Sequence, residues 1–502
     1  MNTYFRTATS AKEWLKTSIA DEGSFLTKII FKILLQFIET IEDILGKTFY
    51  IDHAISNIGR FKVSGRILEF AQEVVKLKFL NHYYFGDHLP DEPRAFIVCG
   101  GFGDLINSSD AGFSKNLATS GVTGVDFFDP NKAMIRCLGE AIERTCQSSY
   151  SERRFTFDSF ENLNKNAISP NDFVAFSSNQ MVGKKFSMFR VSSKSRIGWI
   201  KGNSLIHGGE ILAPSQLVYL TYRKNHKKEP SIRLSISTGA AAHTDKEEAL
   251  YKGVCEVVER DAFMIHYLNK LSPPILDLEN APDDDIKKIW KMFRRYNLEL
   301  YVLDMTTDIP IPTFSTLIID RTEIGPAVVI SNKTGFDMKQ VILGSIAEAT
   351  KSWRARRRRL GGKPNLKPIK NKAEEISDLK ERALFWSNTD MIEHISFLTR
   401  GRKKNVILES APESSHERLD KSVAYFKKNN FEVAAVDIAI KEAKDLGFYV
   451  YMILIPKLQP LYLNEKYRNL GGDRLYRVPI SLGYFKEPKK EEELNNIIHP
   501  FV

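Results

Sequence analysis

The sequence predicts a mixed α/β (α+β) fold with internal strand–helix repeats, preceded by a mainly helical N-terminal region. Three observations predict it. Short β-branched and aromatic runs alternate with segments of helical period. A unit of glycine, aspartate and helix recurs three times along the chain. Hydrophobic residues make up 43% and charged residues 27% of 502 positions, enough apolar material for a sizeable core.

Residues 1–90 read as helical. Their most apolar stretch, Phe25 to Leu45, is interrupted by Lys28, Lys32, Glu39, Glu42 and Asp43. It is too charged for a membrane span and reads as an amphipathic helix. Asp91-Glu92-Pro93 marks a boundary. Ala95 to Gly100 (AFIVCG) reads as a buried strand, and the GGFGD that follows lacks the third glycine of a dinucleotide fingerprint, with Ile106 in its place; it is taken as a turn. Further on, Leu298 to Asp304 is a strand and Gln340 to Trp353 a helix. NVILES, FEVAAVDI and YVYMILIP are strands separated by helices, and the tail from Lys486 ends in IIHPFV. The expected organisation is a helical region 1–90, a catalytic domain 91–485 and a tail 486–502.

The net charge is +10, concentrated in runs such as Arg356 to Arg359 and Arg223 to Lys228. Such runs suit an anionic partner or a solvated basic surface. No aromatic residues are interleaved with them as single-strand nucleic-acid binding requires, so no nucleic acid is expected. Cys99, Cys137, Cys146 and Cys255 form neither a C-x-x-C pair nor a Cys/His cluster, which argues against zinc. Cys137 and Cys255 fall on apolar helix stretches and suit core packing in a reducing compartment. With no signal peptide in view, a cytoplasmic protein is expected.

The repeat carries the chemistry. TSGVTGVDFFDPNKAMIRCLGEAIER ends at Arg144, STGAAAHTDKEEALYKGVCEVVER at Arg260 and KTGFDMKQVILGSIAEATK at Lys351. Asp129, Asp245 and Asp337 start the helices as N-caps or first-turn charges. Eleven residues later stand Glu140, Glu256 and Glu348, and three further on Glu143, Glu259 and Lys351. Residues i and i+3 share a helix face, so Glu140/Glu143 and Glu256/Glu259 present paired carboxylates. Like charges that close raise each other's pKa, and a hard cation relieves them; oxygen-rich sites suit Mg2+, which commonly shares its shell with phosphates. One E-x-x-E-R alone is ordinarily a solvated, salt-bridged face. Two in register, set among Ile135, Leu138, Ile142 and Val254, Val257, Val258, favour a metal-bridged triphosphate. Arg144 and Arg260 are placed to ligate phosphate. Ser120 and Thr123 lie in a glycine-bearing loop that suits either a phosphate contact or a simple turn.

At these residues the sequence resembles the YcaO family: LGEAIER (138–144), STGAAA with EEALYKGVCEVVERDA (247–262), VLDMTTDIPIPTFSTLI (302–318) and GSIAEATKSW. IGWIKGNSL, LQPLYL, LGGDRLYRVPISLG and the terminal IIHPFV are similar to azoline-forming cyclodehydratases, of the D-protein type. The resemblance implies a YcaO-like fold with ATP and Mg2+ as cofactors. The reaction it implies is attack of a Cys, Ser or Thr side chain on the preceding amide, phosphorylation of the oxyanion by ATP, and loss of phosphate to leave a thiazoline or oxazoline. Carried over by position, Glu140, Glu143, Glu256 and Glu259 hold the metal. Arg144, Glu248, Arg260, Glu348, Lys351 and Arg354 join them at the nucleotide, and His499 and Pro500 bring the tail into catalysis. Arg136, Lys351 and Trp353 depart from the family pattern. The expected partners are a precursor peptide, a separate leader-binding protein (E1-like or RRE-type), a dehydrogenase of the same pathway and a second copy of the chain. Two other readings stay open: a YcaO enzyme making thioamides or amidines, and an inactive peptide-binding scaffold.

Overall fold

The computed structural model describes residues 61–103, 121–163, 166–222, 229–360, 376 and 379–501. The Phe25 to Leu45 helix, Ser120 and the Arg223 to Lys228 run lie outside them. In chain order the main elements are α1 (Gly65–Lys76), β1 (Leu80–Phe85), β2 (Phe96–Phe102), β3 (Val122–Asp126) and α2 (Pro130–Ser148). Next come β4 (Phe155–Ser159), β5 (Arg196–Ser204), β6 (Glu210–Pro214), β7 (Ala240–His243), α3 (Lys246–Leu268), β8 (Ile275–Asp277) and α4 (Asp284–Arg295). Then follow β9 (Leu298–Asp304), β10 (Thr313–Asp320), β11 (Val328–Thr334), α5 (Met338–Leu360), β12 (Lys403–Asn405), α6 (Ser415–Lys428), β13 (Ala434–Asp437), β14 (Tyr449–Leu454) and α7 (Asp473–Ser481).

The strands form three sheets, ordered β1-β2-β3, β11-β10-β9-β8-β12 and β4-β5-β13-β14-β7, with β6 paired to β5. Each sheet contributes one strand that feeds a repeat helix: β3 into α2, β7 into α3 and β11 into α5. Each helix also packs on the feeding strand of another unit, α2 on β7, α3 on β11 and α5 on β3. The three units therefore close on themselves in a ring, and the inner helix faces meet at its centre. Cys137 and Leu138 of α2 pack in one core with β5 and β13, and Ile342 and Ile346 of α5 in another with β10 and α4. Among the described residues no helix is long and apolar enough to cross a membrane.

The caps follow the reading from sequence. Asp129 accepts from the Asn131 N–H (2.8 Å), Asp245 from that of Glu248 (2.8 Å) and Asp337 from that of Gln340 (3.0 Å). Each satisfies a first-turn donor that the helix itself cannot.

Four expectations need correction. The Asp91-Glu92-Pro93 break is the connection between β1 and β2, which pair antiparallel, so the described part of the N-terminal region is one helix and a sheet strand. Gly100 and Gly101 belong to β2 rather than to a turn. A Cβ on Gly101 would stand 2.5 Å from the His82 ring, so the glycines let β1 and β2 approach. NVILES contributes only Asn405 to a strand, because polar and exposed neighbours leave β12 three residues long. Finally, Ile135 is 47% exposed, whereas Leu138, Ile142, Val254 and Val258 are buried. Ile135 lies on the outer face of α2, one residue from Arg136.

Candidate active site

The ring of helices brings five glutamates together. The charge of Glu256 on α3 acts on Glu143 of α2, that of Glu348 on α5 acts on Glu259, and that of Glu140 acts on Lys351. Sequence spacing places each pair on one face; the cyclic packing turns the faces toward each other.

The first two units orient their leading glutamates alike. The Thr123 N–H donates to Glu140 Oε2 (2.9 Å), and the Gly239 N–H donates to Glu256 Oε2 (3.0 Å). Both donors lie at the start of the feeding strand, beside glycines at positive φ, +63° at Gly121 and +100° at Gly239. At Gly239 a Cβ would strike the Ile453 carbonyl at 2.2 Å, so only glycine lets that N–H reach the carboxylate. Each pair also has its own arginine. Arg144 Nε lies 3.9 Å from Glu140 and 3.8 Å from Glu143, and Arg260 bridges Glu256 (3.2 Å) and Glu259.

Glu348 is paired with Lys351, one turn along α5, and that ammonium helps hold its carboxyl below the usual range against the cost of burial. Burial drives the Glu143 carboxyl the other way, up to about 8, reinforced by Glu256 and Glu140 and opposed by Arg144. Glu259 is raised by burial as well, with Arg260 opposing. Five glutamates face Arg144, Arg260, Lys351 and Lys333, and burial is the main reason the Glu143 carboxyl is raised. Among the described residues no three His, Cys, Asp or Glu side chains stand together at metal spacing. The donor set nevertheless fits Mg2+: all oxygen, over-supplied with charge, on rigid helices. Glu140, Glu143, Glu256 and Glu259 would hold the cation, and Arg144 and Arg260 beside them would be placed for its phosphates.

Other predicted residues lie differently. Glu248 is held by Arg418 (2.7 Å) and Lys252 (3.7 Å), eight residues before Glu256 and so about 12 Å along α3. Arg354 does not reach the site. Its guanidinium is 2% exposed and bonds Glu92 (2.8 Å) and the carbonyls of Ala95 and Asp87. Arg357 and Arg358 join it on Asp91 and Glu92, so these three arginines clamp the β1–β2 connection. Arg136 pairs with Asp126 (2.9 Å).

His499 and Pro500 are also corrected. His499 is 0% exposed, its Nε2 lies 2.6 Å from the Tyr462 carbonyl, and burial holds its pKa well below the ordinary value. Pro500 is buried beside it. They fasten the tail, and the residue that arrives at the site is Phe501, whose ring lies 4.3 Å from the Arg260 guanidinium.

Sequence reasoning missed Lys333 and Arg233. Lys333 is the exposed position in the otherwise buried β11, its stem lies along Gly344, and its charge acts on Glu143, Glu259 and Glu348. A single lysine in VVISNKT was the available signal. Arg233 lines the pocket that also holds Arg260.

Helices that deliver acidic pairs to one centre, with cations around them, suit a metal-bridged polyphosphate. Residues 128–459 match the family described as YcaO cyclodehydratase, ATP- and Mg2+-binding, and the chain belongs to the YcaO family. It is 29% identical over 165 residues to an uncharacterised protein encoded in the tfuA 3′ region of Rhizobium leguminosarum bv. trifolii, covering 30% of this chain and 39% of that one. It is 24% identical over 160 residues to an uncharacterised protein of Methanothermobacter thermautotrophicus, covering 32% and 42%. The chain thus spans about two-fifths of the length of these curated relatives. Among solved structures, a heterocyclase in complex with substrate and cofactor superposes with a TM-score of 0.70 at 19% identity, covering 86% of this chain and 57% of that one. YcaO from Methanopyrus kandleri bound with AMPPCP and Mg2+ gives 0.57 at 13% identity, covering 80% and 92%. The E. coli microcin synthetase McbBCD complex with pro-MccB17 bound gives 0.55 at 11%, covering 84% and 96%. At these identities the likeness shows a shared fold.

Proposed function

We propose that the chain is an ATP-dependent peptide cyclodehydratase that forms azoline rings from Cys, Ser or Thr of a ribosomally made precursor. The observation that carries the reading is the convergence of Glu140/Glu143 and Glu256/Glu259, with Glu348 facing them. In this reading the four paired glutamates hold Mg2+, and Arg144, Arg260, Lys333 and Lys351 meet the phosphates. When bound, Mg-ATP supplies the phosphoryl group that makes an amide oxygen a leaving group. The protein's part is positioning and charge neutralisation. Thr123 and Gly239 hold Glu140 and Glu256 in one orientation, Lys333 supplies a mobile cation, and Phe501 covers one face of Arg260 against water. The McbBCD assembly and the heterocyclase complex support a peptide substrate and partner proteins; a separate leader-binding protein is proposed among the partners. A dehydrogenase of the same pathway and a second copy of the chain complete the proposed set. Four free cysteines suit a cytoplasmic setting.

The test is mass spectrometry of a candidate precursor incubated with protein, ATP and Mg2+: loss of one water per modified residue is expected. Water loss that persists when the Cys, Ser and Thr residues are replaced would favour an amidine, and exchange of oxygen for sulfur only when a sulfide donor is added would favour a thioamide. One observation favours an inactive scaffold, namely that each glutamate pair has its own arginine and Glu348 its own lysine. Precursor binding with no phosphate release would establish that alternative.

A further inference from the structure

Beside the glutamate centre lies a pocket with apolar walls, including Phe173, Ile236, Ile455 and Leu458, and two guanidinium groups, Arg233 and Arg260. Arg260 has Glu256, Glu259 and the Phe501 ring. Among the described residues Arg233 has neither a hydrogen bond nor an ion pair, and its Nε is enclosed without a partner. The fully buried arginines differ. Arg354, Arg357, Arg382 and Arg474 are each held by a carboxylate, and Arg356 donates to the Val328 carbonyl. Enclosure alone lowers the Arg233 pKa to about 10, with no acid compensating, so the group is a cation at neutral pH. Arg233 is half-buried, with its Nε enclosed, and a cation in that position with no acid beside it is placed to take a counter-ion.

We propose that Arg233 and Arg260 together form a phosphoryl-binding subsite, with Arg233 as its dedicated residue. Two guanidinium forks match an anion with several oxygens in more than one plane better than they match a single carboxylate. The Thr238 hydroxyl lines the same wall, and Val257 joins the pocket to the helix turn that bears Glu256. The occupant is either the terminal phosphate of the nucleotide or free phosphate. Only the first depends on the nucleotide reading of the glutamates.

The experiment titrates full-length wild type, Arg233→Leu and Arg233→Lys with inorganic phosphate, ADP and ATP in Mg2+, with thermal unfolding as a folding check. Wild type is expected to bind phosphate, and Arg233→Leu to lose about tenfold or more of that affinity while binding ADP normally. If the terminal phosphate is the occupant, Arg233→Leu also loses ATP affinity; if free phosphate is, ATP affinity stays. Because the substitution removes a half-buried charge that has no partner among the described residues, its melting temperature should not fall. Should it unfold, Arg233→Lys decides: the charge without the fork should weaken phosphate at least about threefold. Equal affinities for phosphate and ATP in wild type and variants overturn the subsite. Wild type that binds phosphate but fails to bind Mg-ATP would overturn the nucleotide reading and leave this one standing.

Discussion

The first two strand–helix units differ from the third in what their helices do with charge. In α2 and α3 an E-x-x-E-R run gathers two carboxylates and one arginine, and a backbone N–H from the feeding strand fixes the first carboxylate. In α5 the glycine follows the strand instead of preceding it, the second glutamate is Lys351, and the arginine that comes next, Arg354, turns outward to Glu92. A repeat visible in sequence has thus diverged into two acidic walls and one wall that is nearly neutral and mechanically anchored.

Four substitutions break or sharpen that contrast. The largest effect falls on the anchor. Arg354→Met leaves Glu92, 0% exposed, without its closest cation and should cost about 3–5 kcal/mol, read as a lower unfolding midpoint. Glu256→Gln keeps the shape but removes a carboxylate from the acidic wall. ATP-dependent phosphate release should fall at least about 100-fold, with the unfolding midpoint held. Next comes Glu143, whose carboxyl titrates near 4.5 in the unfolded chain and about 8 in the fold. Between those values the folded state binds the extra proton, so in the metal-free protein this group's contribution to stability is present at low pH and lost as pH rises through about 8. Glu143→Gln should flatten that slope in denaturant titrations across pH 5–9. The smallest effect is expected of Lys351→Gln. Glu348 loses the ammonium that lowers its pKa, the site gains negative charge, and Mg2+ affinity measured by calorimetry should rise about threefold to tenfold. Weaker Mg2+ binding there would mean that Lys351 supports the site rather than opposing it.

Local features were legible. The three aspartates cap their helices because capping needs only a side chain two or three residues from a free N–H. Leu298 to Asp304 is a strand with the predicted ends, and the paired glutamates share a face because helical pitch requires it. Long-range features were not. Arg354 resembled a phosphate ligand until α5 placed it against a connection more than 250 residues earlier. His499 resembled a tail catalyst until Tyr462 and Phe263 enclosed it. Arg233, one charge in SIRLSI, gave no sign that its wall would contain no acid.

By itself the sequence determined the mixed α/β class, the repeat, its caps and the carboxylate pairs, since each follows from residue type at short separation. Only the tertiary structure decided which charges face each other, which arginines are occupied by the β1–β2 connection and that Arg233 has no acid beside it among the described residues. Electrostatic partnership depends on distance and enclosure, and the ring closure that sets both comes from packing between units far apart in the chain.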